Sequence, residues 1–231
     1  WFTDFNNDGI ADIPIGRIPV RTPAEASLVL GKIASRGTPG GSWSRSALFV
    51  NDVSTDYDFT GVSTSLAHLL PSGISSQAIN FASSSDAHGD VVNAMNSGNL
   101  LTTYVGHAST DIWSDYVFSS TDAMALTNGS RLPVVLAMNC LNGFFHDILS
   151  DSLAESLLKA PNGGAVAVWA SSALTQPDQQ AIMAREVFRQ IFSSPTLTLG
   201  QAVARAKVVA TDPDVRKSWI FFGDPTMKLR P

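Results

Sequence analysis

Residues 100–147 read LLTTYVGHASTDIWSDYVFSSTDAMALTNGSRLPVVLAMNCLNGFFHD, and their two apolar runs decide the fold. The first run, LLTTYVGHAS, ends on His107 directly after Gly106. The second, LPVVLAMNCLNG, ends on Cys140, the only cysteine of the chain. Both are short, rich in Val, Leu and aromatic residues, and bounded by Gly, Asn and Ser, which is the pattern of buried strands. In an open α/β sheet, side chains at the carboxyl ends of parallel strands face the ligand crevice. If the two strands are parallel neighbours, His107 and Cys140 meet at one edge of the sheet. A free cysteine is most often a small core hydrophobe. Here Gly106 before the histidine, and Asn139 and the LNG turn around the cysteine, set both side chains past the strands. A thiol beside an imidazole is the minimum equipment for nucleophilic catalysis by thiolate.

Outward from this pair, strands alternate with helices. Upstream, SRSALFVNDVSTDYDFTG holds a strand over 47–50 that runs straight into Asn51, Asp52, Asp56 and Asp58. Helices are expected over 62–70, capped near Thr60, and over 85–97, with a short strand SSQAINFA between them. TPAEASLVLGKIASRG reads as a helix capped by Thr22, with Pro23 at its first position and Gly37 at its end. Its apolar stripe is Ala26, Val29, Leu30 and Ile33. Downstream, helices are expected at about 120–126 and 152–158, then a third buried strand, GAVAVWASS, ending beside the proposed site. Two amphipathic helices follow, QQAIMAREVFRQIF and LTLGQAVARAKVVA, and SWIFFGDPTMKLRP closes the chain with a hydrophobic strand. This alternation implies a largely parallel sheet covered on both faces. His88 and His146 read as surface and structural residues.

The N-terminal stretch WFTDFNNDGIADIPIGRIPV carries a D-x-N-x-D-G-x-x-D pattern. Asp4, Asn6, Asp8 and Asp12 occupy positions 1, 3, 5 and 9, Gly9 takes the sharp turn, and the Ile10 carbonyl sits at position 7. Calcium wants six to eight oxygens, and this spacing converges oxygens on one point. The acidic residue of an EF-hand at position 12 is absent, Ile15 standing there, so the pattern is that of a shorter calcium loop. The alternative is an Asx-rich turn without metal. IADIPIGRIPV is expected to be a strand, with Arg17 a paired structural arginine.

With 15 Lys plus Arg against 20 Asp plus Glu, the formal charge is −5, which argues against a nucleic-acid partner. No run approaches the roughly 18 apolar residues of a membrane span. The chain starts at Trp1 with neither initiator Met nor signal peptide, which reads as a piece of something longer. Few lysines and much Ser, Thr, Asn and Gly lean towards an extracellular setting.

In order along nearly the whole chain, DGIADIPIGRIPVRT, YVGHAS, DAMALTNGSRLPVVLAMNCLNGFF, SLAESLL, GGAVAVWASS and WIFFGDPTM resemble the catalytic domain of the gingipain-type cysteine peptidases, family C25 of the caspase-like clan. The resemblance implies an α/β, three-layer caspase-like (caspase–haemoglobinase) fold. It implies a single catalytic domain over 1–231, of which 1–16 is a calcium-loop lead-in and 17–231 the core. It further implies a secreted or cell-surface bacterial endopeptidase with attached neighbouring domains and a pro-segment. Residue by residue, Cys140 becomes the nucleophile, His107 the acid–base and Asp52 the acid that orients the histidine. The N–H groups of Ala108 and Cys140 become the oxyanion hole, Ala108 standing where the family usually has Gly. Asp58 or Asp56 falls near the acid that selects a basic P1 residue, and Trp169 and Ser171 are counted with the substrate-binding residues. The tryptophan that gingipains place after the third strand has no match in LTQPDQQ. Two other readings stand beside the endopeptidase: a non-catalytic, calcium-stabilised module, and a dedicated processing peptidase for secreted proteins.

Overall fold

The computed structural model describes residues 3–36 and 40–229. The expected helix stop at Gly37 lies outside them. Six strands, β1 (Ser46–Asn51), β2 (Ser75–Asn80), β3 (Leu101–Val105), β4 (Val134–Met138), β5 (Ala167–Ser171) and β6 (Trp219–Phe222), form one sheet in the order β2-β1-β3-β4-β5-β6. The first five run parallel, and β6 closes the edge antiparallel to β5.

Period-two alternation divides the strands between two cores. Phe49, Leu136, Met138, Trp169 and Phe221 pack on one face, with α2 (Phe59–Ala67), α6 (Pro177–Ser193) and α7 (Leu199–Val208). Leu48, Val50, Val135, Val168 and Phe222 pack on the other, with α1 (Pro23–Ser35), α3 (Ala87–Ser97), α4 (Ser120–Ala125) and α5 (Leu153–Lys159). The short α8 (Pro213–Ser218) leads into β6. The result is a three-layer α/β/α fold.

The helices start where side chains satisfy their orphan N–H groups. Thr22 with Glu25, Ser119 with Asp122, Ser152 with Glu155 and Thr198 with Gln201 form capping boxes. Three expectations change. Helix α2 starts before Thr60, because Asp58 caps it through the Gly61 N–H. Leu30, placed in the apolar stripe of α1, is 51% exposed, while Val29 carries the burial. IADIPIGRIPV contributes one bridge, Arg17 to Phe222, and no strand, since Pro14 and Pro19 remove ladder donors on either side. Arg17 finds a ring rather than a carboxylate: its guanidinium lies 3.7 Å from the Phe145 ring centroid.

Candidate active site

The chain passes from β1 out to β2 and then returns to place β3 on the other side of β1. That reversal is a topological switch point, where open α/β sheets bind ligands. Asn51 pairs with Val105, and Val105 with Met138. Asp52, His107 and Cys140 therefore leave three adjacent strands at the same carboxyl edge.

His107 is held through its backbone. Its N–H donates to Asp52 Oδ2 at 2.9 Å, and its carbonyl accepts from the Tyr104 hydroxyl at 2.6 Å and the Ser114 N–H at 3.1 Å. Asp52 is 4% exposed, and its second oxygen accepts from the Val53 N–H at 2.7 Å. The expected role of Asp52 thus changes: it fixes the histidine's backbone, each of its oxygens accepting from a backbone N–H. The ring belongs to Asp56, whose Oδ1 lies 3.1 Å from His107 Nε2. That hydrogen bond holds the Asp56 carboxyl below its usual range, so the contact persists above that low pKa and is lost as pH falls through it. Phe59 meets the imidazole edge-on at 5.2 Å. The ring stays half exposed, as an acid–base group needs.

Cys140 sits in a turn built by polar contacts. Leu141 adopts φ +62°, a conformation that disfavours a side chain. The neighbouring carbonyls of Ala173 and Ser171 accept from the N–H groups of Leu141 and Gly143. Cys140 Sγ accepts from the Thr175 N–H at 3.4 Å and lies 3.5 Å from the Thr175 carbonyl. Gln180, 3% exposed, fixes Thr175 by donating to its carbonyl and its hydroxyl. Among the described residues, the N–H groups of Ala108 and Cys140 donate to no protein acceptor. Ala108 has no positive φ, so its side chain in place of the family's Gly is unstrained.

Asn142 ties the two halves together. Its Oδ1 accepts from Trp113 Nε1 at 2.9 Å and Asn139 Nδ2 at 2.6 Å, and its Nδ2 donates to the Ser109 carbonyl at 2.6 Å. Sequence reading took this asparagine for a turn former and missed Thr175 and Gln180 altogether. An Asn142→Ala variant leaves two buried donors and a carbonyl short of partners. A loss of about 2–3 kcal/mol in denaturant-measured stability is expected.

The other residues expected at the site fall outside the edge. Trp169 is fully buried in mid-strand and packs at a tilt, centroids 4.8 Å apart, on Trp219, because alternation turns it into the core. Ser171 is equally buried, its hydroxyl bonded to the Ala173 carbonyl and Ser218. Neither lines a substrate cleft. Asp58 is spent as the α2 cap. His88 bonds the Val117 carbonyl, and His146 packs at a tilt against Phe144.

In the N-terminal loop, Asp4 accepts from the N–H groups of Asp8 and Gly9, and Asn6 from that of Asp8. Asp8 accepts from the Ile10 N–H and Asp12 from that of Phe5. The donor chemistry suits a hard cation, yet the loop is closed on its own backbone. Among the described residues no three His, Cys, Asp or Glu side chains gather closely enough to share an ion.

A profile of peptidase family C25 matches residues 1–230. The chain belongs to peptidase family C25. Gingipain R2 of Porphyromonas gingivalis is 27% identical over 157 residues, covering 61% of this chain but 21% of that protein. Gingipain R1 of the same species matches at 27% over 156 residues and 16% of its length. The C25 chain thus spans a minor part of these curated relatives. The crystal structure of the Arg-specific cysteine proteinase gingipain R superposes with a TM-score of 0.86 at 19% identity, over 98% of this chain and 58% of that one. The Saccharomyces cerevisiae separase–securin complex shares the fold at a TM-score of 0.64 and 14% identity, over 92% of this chain and 14% of that one. These likenesses match the caspase-like fold that the sequence motifs implied.

Proposed function

We propose that this C25 chain is the catalytic domain of a cysteine endopeptidase, with Cys140 as nucleophile and His107 as acid–base. The observation that carries the reading is the placement of thiol and imidazole at the ends of neighbouring parallel strands, beside two N–H groups without acceptors. The Cys140 thiolate attacks the scissile carbonyl carbon, forming a C–S bond. The N–H groups of Ala108 and Cys140 receive the oxyanion, a contribution of about 3–4 kcal/mol per donor. The C–N bond breaks as the protonated His107 delivers its proton to the leaving amine. Water then adds to the thioester carbonyl, giving a proton to His107, and the thiolate departs. With Nε2 bonded to Asp56, Nδ1 is the ring nitrogen left for this proton traffic.

A basic P1 residue is part of the proposal. The specificity named for gingipain R supports it, and Asp56, more than half exposed beside His107, is the carboxylate positioned to meet it. The test is a P1-scanning fluorogenic peptide library run with wild type and Asp56→Asn. A charge-assisted hydrogen bond to a guanidinium is worth about 1.5–3 kcal/mol. The variant should lose 10- to 150-fold in kcat/KM on Arg and Lys substrates, and much less on apolar ones. An equal loss on all substrates would assign Asp56 to holding the histidine alone.

The remaining proposals concern the larger protein. A secreted bacterial setting and a pro-segment are supported by the gingipain relatives and by the complex of P. gingivalis RgpB pro- and mature domains, similar at a TM-score of 0.86. No helix among the described residues is long and apolar enough to cross a membrane. Calcium in the loop of Asp4, Asn6, Asp8, Ile10 and Asp12 is a further proposal, resting on donor type and spacing. Calcium at ten times its dissociation constant should stabilise by about 1.4 kcal/mol, a rise of roughly 3–6 °C in Tm. A calorimetric midpoint indifferent to calcium, or a rise that survives Asp4→Ala, would remove the metal from the account.

A further inference from the structure

The fold holds a recess apart from Cys140. A cavity of about 1070 Å³ lies between the N-terminal segment, α7, α8 and the β5–β6 edge. Its walls are largely apolar, but the polar groups left unsatisfied around it are all donors. Trp169 and Trp219 line it, both fully buried or nearly so, and neither indole N–H has an acceptor among the described residues. Arg216 lines it too. Its Nε is likewise without a partner, and Nη2 reaches only the Ala210 carbonyl at 2.6 Å. Lys207 spends one of its three N–H donors on the Trp219 carbonyl at 2.8 Å. Neither cation joins any ion pair found among the described residues.

These four residues form one cluster. Lys207 bonds the backbone of Trp219, the two indole rings meet at a tilt with centroids 4.8 Å apart, and Arg216 precedes Trp219 by three residues. Asp4 and Asp8 also line the cavity, but both carboxylates are turned onto the loop's own N–H groups. Buried donors without acceptors are costly. Burial also pulls the Lys207 ammonium down to about 8, which is the mark of a charge lacking a counter-ion.

We infer that this cavity binds a carboxylate carried on an apolar body, with the Lys207 ammonium and the Arg216 guanidinium as its donors and the buried indoles of Trp169 and Trp219 behind them. An acidic peptide side chain and a free aryl or alkyl acid share that chemistry. A divided test separates them, using the Cys140→Ala chain so that no peptide is cut and the outcome is independent of the peptidase reading. Calorimetry would titrate acetyl-Leu-Glu-Leu-amide against its Gln counterpart, and 3-phenylpropanoate against 3-phenylpropanamide. In at least one pair the acid should bind ten or more times tighter than its amide. Its binding should also shift the Trp169 and Trp219 indole N–H resonances, assigned with Trp→Phe variants. Lys207→Met should weaken it tenfold or more, and Lys207→Arg should keep most of it. If Lys207→Met does not fold, Arg216→Gln carries the same expectation. Acid and amide binding alike, or no binding by either pair, would overturn the inference and leave the cavity to water.

Discussion

Replacing Cys140 with alanine will abolish cleavage of every peptide in the library, a fall of about 10⁶ in kcat. The size follows from chemistry: removing the sulfur removes the covalent step, leaving only what binding and oxyanion stabilisation achieve without a nucleophile. The fold should survive. Cys140 lies beyond β4, partly exposed, and its polar contacts are two long ones to Thr175. Losing one small side chain there costs about 1 kcal/mol, which lowers Tm by roughly 2–4 °C. A Cys140→Ser variant sharpens the result, because serine keeps the volume but not the nucleophilicity of a thiolate. Serine activity near wild type would sink the thiolate mechanism. Inactive wild type with a folded spectrum would instead favour the non-catalytic module.

Most of the frame was legible because it rests on local patterns. The runs that became β1, β3, β4 and β5 are bounded by residues that end strands, and Thr22 followed by Pro23 announces α1. A parallel sheet followed from the alternation, and His107 and Cys140 fall at one edge once β3 and β4 are neighbours, which the structure supplies. The partners of the ring were not legible. Asp52, Asp56 and Asp58 lie within seven residues of one another, and each was a credible acid. The structure gives them three different tasks: a backbone anchor, a ring partner and a helix cap. Nothing in their spacing encodes that division, which depends on where α2 begins and how the loop turns back over β3. Thr175 and Gln180 come from 35 and 40 residues beyond the cysteine and reach it only through tertiary packing. Trp169 was misplaced for a simpler reason. A period-two strand sends alternate residues into opposite cores, and Trp169, at the centre of β5, points into one of them.

Gly106→Ala should be the most damaging methyl group that can be added near the site. A Cβ at residue 106 would sit 2.3 Å from the Asp52 Cβ and 2.6 Å from the Tyr104 hydroxyl. Neither neighbour can yield. Asp52 is pinned by two N–H donors, and Tyr104 is fully buried, its ring stacked at 4.3 Å on Trp113 and its hydroxyl committed to the His107 carbonyl. Overpacking of this kind, with the Asp52 and Tyr104 hydrogen bonds strained together, is expected to cost about 3–4 kcal/mol, or roughly 10 °C in Tm. The same clash must move the next residue, which is His107. A displacement of about 1 Å costs on the order of 100-fold in rate, so kcat should fall by that factor at temperatures where the variant is still folded. Gly31→Ala is the matched control: it lies in α1 with open space where the methyl would go, and should gain about 0.5–1 kcal/mol. Full activity and unchanged stability in Gly106→Ala would mean that the Asp52–His107 backbone contact does not hold the histidine in place. The anchor would then have to be sought in the Asp56 contact alone, and Asp56→Asn would be expected to cost kcat on every substrate.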